Sequence, residues 1–180
     1  MKKLLIFTCI ACFACNNDTK KEVSSSSIAY DSSKNADIAY PYTASYSSKF
    51  EIGDPQLSKI ILDLWKNWDN NTLQNSLHSF ADTVSLLFPD GTRVHGSRED
   101  VISEAQKVRD QFISVSSDVQ AWIPLKSTDK NENWVTIWGK EVHKTKDGKT
   151  DSVNLQETWL FDKNNKAMVM YQFINKFSRQ

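Results

Sequence analysis

One carboxylate stands in an otherwise apolar row of a predicted strand, and it is the residue best suited to acid–base chemistry. Within residues 153–161, alternation places Glu157 on one face with four apolar residues: Val153, Leu155, Trp159 and Phe161. An unpaired buried carboxylate costs several kcal/mol, so it must find a donor, reach water or take up a proton. In a cavity its pKa would rise toward the range useful for proton transfer. We predict that Glu157 faces a pocket; a structural Glu held by hydrogen bonds inside the fold is the alternative.

Two histidines are candidates to act with Glu157 if the protein is an enzyme. His143 lies near the end of the preceding predicted strand and shares a face with Glu141 by alternation, so its imidazole could relay a proton. His95 precedes Gly96 at the start of a predicted helix, where it would edge a pocket. The simpler interpretations are an exposed strand-end residue for His143 and a turn-stabilising residue for His95.

Aromatic residues are abundant for a core of this size, and all six Trp lie between residues 51 and 180. Such side chains fill a core by default, but some of them could line a pocket for a flat, apolar ligand. With Glu157, the candidate ligand-binding residues are Trp65, Trp68, Phe80, Phe88, Trp122 and Trp159.

Several common kinds of site have no signature in the sequence. The three His are scattered without an HxxxH spacing, and the Cys residues are confined to the first fifteen positions, so we expect no metal site. The five Gly are isolated, which argues against a phosphate-binding loop, and no GxSxG nucleophile motif occurs.

The N-terminus predicts export and lipid anchoring. Lys2 and Lys3 precede an uncharged, mostly apolar run that is too short for a permanent transmembrane helix. The run ends at Cys15, which resembles the lipidated Cys of bacterial lipoproteins; Cys12 and Cys9 are rival acceptors. Residues 1–15 are thus interpreted as a signal peptide that ends at the lipidated residue. An ordinary secretory signal is the alternative.

The predicted mature chain is a tether followed by one domain at a bacterial membrane. Residues 16–50 are rich in Ser, Asn, Lys and Asp and form a predicted flexible tether, and residues 51–180 have the length of a single domain. Without Lys2 and Lys3 the chain has 20 basic and 22 acidic residues, so a net charge near −2 argues against nucleic-acid binding. We expect the protein to contact the membrane only through its lipid anchor, on the periplasmic side or on the cell surface. An exported site also disfavours cytosolic cofactors, and we expect none.

Helices come first in the domain and strands follow. Asp54-Pro55 predicts the start of a helix, Leu73, Leu77 and Phe80 a short second one, and Ser97 with Asp100 the cap of a third. Alternation at Val84, Leu86 and Phe88 predicts a first strand, and period-two patterning predicts four more over 113–126, 133–145, 150–162 and 166–177. The turns between the later strands have hairpin chemistry, so the fold class is α+β with an antiparallel sheet.

Residues 54–177 resemble the nuclear transport factor 2-like superfamily, and within it the SnoaL-like proteins. The resemblance rests on three stretches: residues 77–82 (LHSFAD), residues 88–101 from FPDG to VHGSREDV, and residues 156–161 (QETWLF). It implies a cone-shaped curved antiparallel sheet wrapped around three N-terminal helices, with a pocket at the open end. The superfamily includes isomerases, dehydratases, cyclases and non-catalytic modules, so a fold and a pocket are implied, not a reaction.

The ketosteroid isomerases of this superfamily offer a residue-level comparison. Glu157 falls near their oxyanion-hole acid, but Phe88 stands where they have a general base, and Leu64 or Trp65 where they have a tyrosine. Neither Phe88 nor those two residues can perform the missing roles, so that reaction is excluded.

Three functions remain for an envelope lipoprotein of this kind. The preferred one is binding of a small, largely apolar molecule in an aromatic pocket, with Glu157 as its polar anchor. The second is an isomerase, dehydratase or cyclase that uses Glu157 with His143 or His95. The third is a non-catalytic module that forms a homodimer through the sheet face carrying Trp134 and Trp138.

Overall fold

The first helix is built as its sequence predicts. The computed structural model describes residues 39–175. Helix α1 spans Pro55–Asp69, and the Asp54 carboxylate caps it by accepting the Gln56 N–H at 2.8 Å. Its apolar stripe faces the sheet, and the stripe residues that are buried are Leu57, Ile61, Leu64 and Trp65.

The second predicted helix is a 3-10 helix over Leu73–Ser79. Phe80, expected inside that helix, is instead the first residue of a strand, and it is buried. Helix α2 spans Arg98–Arg109, and Ser97 caps it by accepting the Asp100 N–H at 3.1 Å. Phe112, three residues after this helix ends, begins the next strand.

Seven strands make up the sheet within residues 39–175. They are β1 Phe50–Ile52, β2 Phe80–Leu87, β3 Arg93–Ser97, β4 Phe112–Ser127, β5 Glu132–Thr145, β6 Thr150–Phe161 and β7 Ala167–Asn175. Patterning predicted β2 and the four long strands to within a few residues, but not β1 or β3. Both of these are edge strands of three and five residues, too short for alternation to stand out.

The strand order is β1-β4-β5-β6-β7-β2-β3, in an open, curved sheet. Consecutive long strands pair antiparallel, as their turn chemistry predicts. The pair β2–β7 is parallel, so the sheet is mixed and not purely antiparallel. The α+β fold class is confirmed with this one change, and with β2 and β3 standing between the 3-10 helix and α2.

Gly139 lets α1 lie close against the sheet. A Cβ added at this residue of β5 would stand 2.7 Å from the ring of Trp65 and 2.9 Å from the Asp118 carbonyl oxygen. The bare backbone therefore gives the Trp65 indole room to reach across β5 toward β6.

Residues ahead of β1 also pack on the domain. Tyr46 donates to the Glu132 carboxylate and makes an edge contact with Trp134, and Ser47 donates to Asp129 at 2.6 Å. These contacts lie short of residue 50, where composition predicts that the tether ends. The predicted signal peptide, its Cys15 and the tether up to residue 38 lie outside the described residues. Within the described residues, no helix combines the length and apolar character needed to cross a membrane.

Candidate functional site

A cavity of about 410 Å³ opens between the inner face of the sheet and the helices. Its wall is mostly apolar and strongly aromatic, with six aromatic residues: Trp65, Trp68, Phe80, Phe88, Phe112 and Trp159. Its polar side chains are few, as in pockets that orient small molecules: Ser117, Glu141, His143, Glu157 and Gln172.

Glu157 lies on the wall of this cavity with both oxygens engaged. Oε2 accepts the indole N–H of Trp65 at 2.7 Å and that of Trp159 at 3.0 Å. Oε1 accepts the side-chain amide of Gln172 at 3.0 Å. Three neutral donors thus hold a carboxylate that is 7% exposed, and no cation pairs with it among the described residues.

Burial raises the pKa of Glu157, while the donors from Gln172, Trp65 and Trp159 oppose that rise. Gln172 can form a hydrogen bond with either protonation state of Glu157, because a rotation of its side-chain amide by about 180° exchanges the N–H donor for the C=O acceptor. It donates its N–H to the carboxylate, and in the reversed orientation it accepts from the protonated acid. Burial therefore disfavours the charged form of Glu157, and its hydrogen bonds can be satisfied whether the carboxyl group is ionised or protonated.

A second buried carboxylate, Glu141 on β5, lines the same cavity. Its Oε2 accepts the Trp68 indole N–H at 2.7 Å. Its Oε1 lies 3.4 Å from Nδ1 of His143, a contact within ion-pair range but without hydrogen-bond alignment, so the buried Nδ1 has no hydrogen-bond partner. The imidazole packs on Phe112 with ring centroids 4.6 Å apart.

Burial is also the main cause that raises the pKa of Glu141. The Trp68 N–H and the neighbouring His143 lower it, and the charge of Glu157 raises it further. Because one oxygen of Glu141 lacks an aligned donor, this carboxylate is freer to engage a ligand than Glu157. The pair of Glu141 and His143 therefore leaves polar atoms on the cavity wall available to contact a bound molecule.

A second cavity of about 700 Å³ adjoins the first and shares seven wall residues with it: Leu86, Phe88, Val101, Ala105, Val108, Gln172 and Ile174. It is bounded further out by the β2–β3 turn, where Asp90 lies, and by α2, where Glu104 lies. We call it the vestibule, because it continues the inner pocket toward the surface.

Most sequence-predicted site residues lie together on the wall. The structure places Glu157, His143, Trp65, Trp68, Phe80, Phe88 and Trp159 around the one cavity. His143 is partly buried there, not exposed at a strand end. Phe80 is the first residue of β2, and Phe88 directly follows its last residue.

Two predicted site residues lie elsewhere. Trp122 is 50% exposed and lines neither cavity; β4 reaches the wall only near its start, at Phe112 and Ser117. His95 is exposed on the edge strand β3, where its Nδ1 is 2.8 Å from the Ser85 hydroxyl. This contact joins register partners of β2 and β3, so His95 neither edges the pocket nor stabilises a turn as the alternative had it.

Sequence reasoning named Glu141 only as a neighbour of His143 on one face, and it did not name Gln172; both line the cavity. Glu141 follows Ile137 and Gly139 on one face of β5, the same signal that singled out Glu157. Gln172 stands directly opposite Glu157 in the β6–β7 register. A bulge between Leu160 and Phe161 shifts that register, so this pair could not be counted from the hairpin at residues 162–165. Ser117 and Phe112 carry no such signal, because bulges in β4 shift their register.

A buried arginine fixes the end of the cavity. Arg109 closes α2 and donates to the backbone carbonyls of Trp68, Asp69 and Phe112 at 2.7, 3.0 and 3.2 Å. It thereby ties the C-terminus of α1 to the start of β4. The Asp69 carboxylate accepts the hydroxyl of Ser117 at 2.8 Å in the same region. Within residues 39–175, no group of three or more His, Cys, Asp or Glu side chains is arranged to hold a metal ion.

Comparisons identify the fold through structure. No family model and no curated protein matches the sequence. A putative SnoaL-like polyketide cyclase from Jannaschia sp. CCS1 is similar over 69% of this chain and 91% of its own, with a TM-score of 0.56 and 12% identity. An NTF2-like protein of unknown function from Exiguobacterium sp. 255-15 is similar over 67% and 99%, with a TM-score of 0.54 and 13% identity.

A third similar structure, TerC co-crystallised with polyporic acid, covers 66% of this chain and 91% of its own at a TM-score of 0.53 and 13% identity. At such identities a likeness carries the fold and not the activity. The strand order and the helices of this chain are consistent with the fold of these similar structures. The chain has the nuclear transport factor 2-like fold.

Proposed function

We propose that this protein binds a small, largely apolar molecule in the pocket between sheet and helices. The observation that carries the proposal is the aromatic cavity of about 410 Å³, which is within the size range of small-molecule sites. A core that served stability alone would close such a space, since an apolar void lowers the free energy of unfolding. That TerC was crystallised with polyporic acid is consistent with ligand binding on this fold.

In this proposal Glu157 orders the pocket and does not contact the ligand as its main anchor. Its hydrogen bonds set the orientation of Trp65 and Trp159, whose rings form part of the wall. Glu141 and His143 are the polar groups left for the ligand. We therefore propose Glu141, and not Glu157 as the sequence predicted, as the polar anchor of the ligand.

Native mass spectrometry of the full chain purified from its host tests the proposal. We expect a retained molecule that is lost on denaturation. Ala105 lines both cavities, so Ala105→Trp should block the pocket and abolish retention. Ala121→Trp places the same ring on an exposed position of β4 and should retain the molecule. Equal retention by the two variants would contradict the proposal.

The location follows from the N-terminal segment. We propose that Cys15 is lipidated and that the domain works at a cell-envelope membrane. Intact-mass measurement of the membrane fraction should give a chain that starts at residue 15 and carries acyl groups. Cys15→Ser should release the protein into the soluble fraction, whereas Cys12→Ser should not.

The second candidate function is acid–base catalysis, and the contact between Glu141 and His143 favours it. The pair lies on the wall of a mostly apolar cavity, where a bound molecule would come within the reach that proton transfer requires. If the retained molecule is a substrate, Glu141→Gln should abolish its turnover, while Glu51→Gln on the exposed strand β1 should leave turnover unchanged.

A third candidate is a homodimer that forms through the outer face of the sheet. Alternation places Trp134, Trp138, Tyr171 and Phe173 on that face, and Tyr171 and Phe173 are 39% and 57% exposed. Exposed aromatic groups of this kind mark protein interfaces. Sedimentation should give the mass of a dimer that Phe173→Glu converts to a monomer; a monomer in both cases would rule the dimer out.

A further inference from the structure

We propose that the molecule bound in this pocket is a cation, an apolar body carrying a protonated amine whose ammonium group binds beside Glu141. The inference rests on the proposed ligand-binding function and names the chemical class of the ligand.

Apart from the imidazole of His143, the ionisable side chains that line the site are all acidic. The described residues that line the pocket and the vestibule include four carboxylates, Glu141, Glu157, Asp90 and Glu104, and they include no Lys or Arg. The whole chain has equal numbers of acidic and basic residues, so this bias is local. A cleft lined by one sign of charge attracts ligands of the opposite sign and repels those of its own.

Glu141 is the carboxylate of this set that lacks compensation. Glu157 is surrounded by three N–H donors, Glu104 is 2.6 Å from the Lys107 ammonium, and Asp90 accepts the Thr92 N–H in its own turn. Glu141 has the Trp68 indole on one oxygen and an unaligned imidazole near the other. A charged donor at that second oxygen would complete its coordination.

The nearby basic groups do not supply such a donor. Arg109 donates its N–H groups to the carbonyls of Trp68, Asp69 and Phe112, and it does not line the cavity. Nδ1 of His143 stands 3.4 Å away without a hydrogen bond. An aligned, charged donor for this oxygen must therefore come from outside the chain, or the carboxyl group must hold a proton.

The surroundings of Glu141 suit an ammonium group on an apolar body. Trp68 donates to it and Phe112 packs on the adjacent His143, and aromatic faces attract cations. The rest of the inner wall offers hydrocarbon to the remainder of the ligand. An anionic ligand would meet two buried carboxylates and, among the described residues that line the wall, no Lys or Arg.

A matched set of probes tests this inference on the full chain. The three probes are 1-naphthylmethylamine, 1-naphthylmethanol and 1-naphthoate, which share a flat apolar body and differ in charge. Calorimetric titration at pH 7.5 should show the amine binding at least about tenfold more tightly than the alcohol, with the carboxylate weakest. The effect should survive 0.5 M salt better than a surface ion pair would, since a buried pair is screened less.

Two variants assign the effect to Glu141. Glu141→Gln keeps the shape of the side chain and removes its charge, so the amine should fall to the affinity of the alcohol while the alcohol changes little. Glu51→Gln removes a charge on β1, outside both cavities, and should leave all three affinities unchanged. If Glu141→Gln does not fold, the ratio of amine to alcohol affinity in the unaltered chain still decides.

The outcomes separate this inference from the function on which it rests. Equal affinity for amine and alcohol, or tighter binding of the carboxylate, would overturn the cationic ligand and leave a pocket for neutral or anionic molecules. Binding of none of the three probes, together with no retained molecule in the chain from its host, would instead overturn the binding function itself.

Discussion

Trp65 on α1 donates its indole N–H to Glu157 on β6 across 2.7 Å, and this bond connects the helix to the sheet at the pocket wall. Trp159 donates to the same oxygen, and Gln172 to the other. One carboxylate thus fixes two aromatic rings of the wall and joins α1, β6 and β7. Its position in an apolar row follows from the need for an acceptor between two buried indoles.

Glu157→Leu should destabilise the protein strongly. The change leaves the buried N–H groups of Trp65 and Trp159 without an acceptor, which costs about 1–3 kcal/mol for each group. We expect the free energy of unfolding in urea to fall by about 2–4 kcal/mol. Tryptophan fluorescence would follow the transition.

Glu157→Gln should behave differently from the leucine variant. Its carbonyl oxygen can accept both indole N–H groups, and its amide can donate to Gln172 in the reversed orientation. The glutamine variant should therefore be as stable as the parent at pH 5 or more so. A loss as large as that of the leucine variant would show that the carboxylate charge itself is required.

The stability difference between Glu157→Gln and the parent should depend on pH. Because burial raises the pKa of Glu157, the native state holds its proton at a pH where the unfolded chain has released it. In the parent, Glu157 therefore contributes most to the free energy of unfolding below the ordinary pKa of Glu. That contribution is lost as pH rises through the raised pKa of Glu157 in the native state. The variant has no such loss.

Urea unfolding of both proteins between pH 4 and 8 measures this effect. The advantage of the glutamine variant should grow with pH by up to about 1.4 kcal/mol per unit within the titration range. The exposed carboxylates with lowered pKa, Asp90, Glu99, Asp129 and Asp147, act in the opposite sense but cancel in the difference. Parallel stability curves would contradict the raised pKa.

Gly139→Ala should displace Trp65. The new Cβ would stand 2.7 Å from the indole ring and 2.9 Å from a backbone oxygen, so the ring must move. Overpacking of this kind costs about 1–3 kcal/mol. We expect that loss together with a shift of tryptophan emission, as the bond to Glu157 is strained.

Gly96→Ala is the matched control for that change. A Cβ at Gly96 would meet the Asp100 side chain at 3.6 Å, an ordinary contact. Its stability should stay within about 0.5 kcal/mol of the parent. Equal effects of the two substitutions would mean that close approach at Gly139 is unimportant.

Local signals predicted much of this fold. The capping residues Asp54 and Ser97 and the hairpin chemistry at residues 146–149 and 162–165 act within a few positions, so each element could be located from the sequence. The parallel pairing of β2 with β7 depends on contacts between distant segments, and no local pattern encodes it.

The candidate site was predictable only in part for the same reason. Alternation placed Glu157 and His143 on inward faces, but a face is shared by residues inside and outside the pocket. Trp122 pairs with the buried Ile137, which in turn pairs with Glu157, and Trp122 still lies away from the cavity, two strands from Glu157. Deciding between the two requires the order of strands in the sheet.

Arg109→Met should be among the most destabilising single changes outside the pocket wall. The arginine is 3% exposed and donates to three backbone carbonyls, including two at the C-terminus of α1, where a cation is favoured. Methionine fills much of the volume but leaves the carbonyls of Trp68 and Asp69 without this donor. We expect a loss of about 3 kcal/mol in the free energy of unfolding. Arg98→Met, which removes a partly exposed contact with Asp82 at 3.3 Å, should cost at most about 1 kcal/mol, and comparable losses in the two variants would contradict a special role for Arg109.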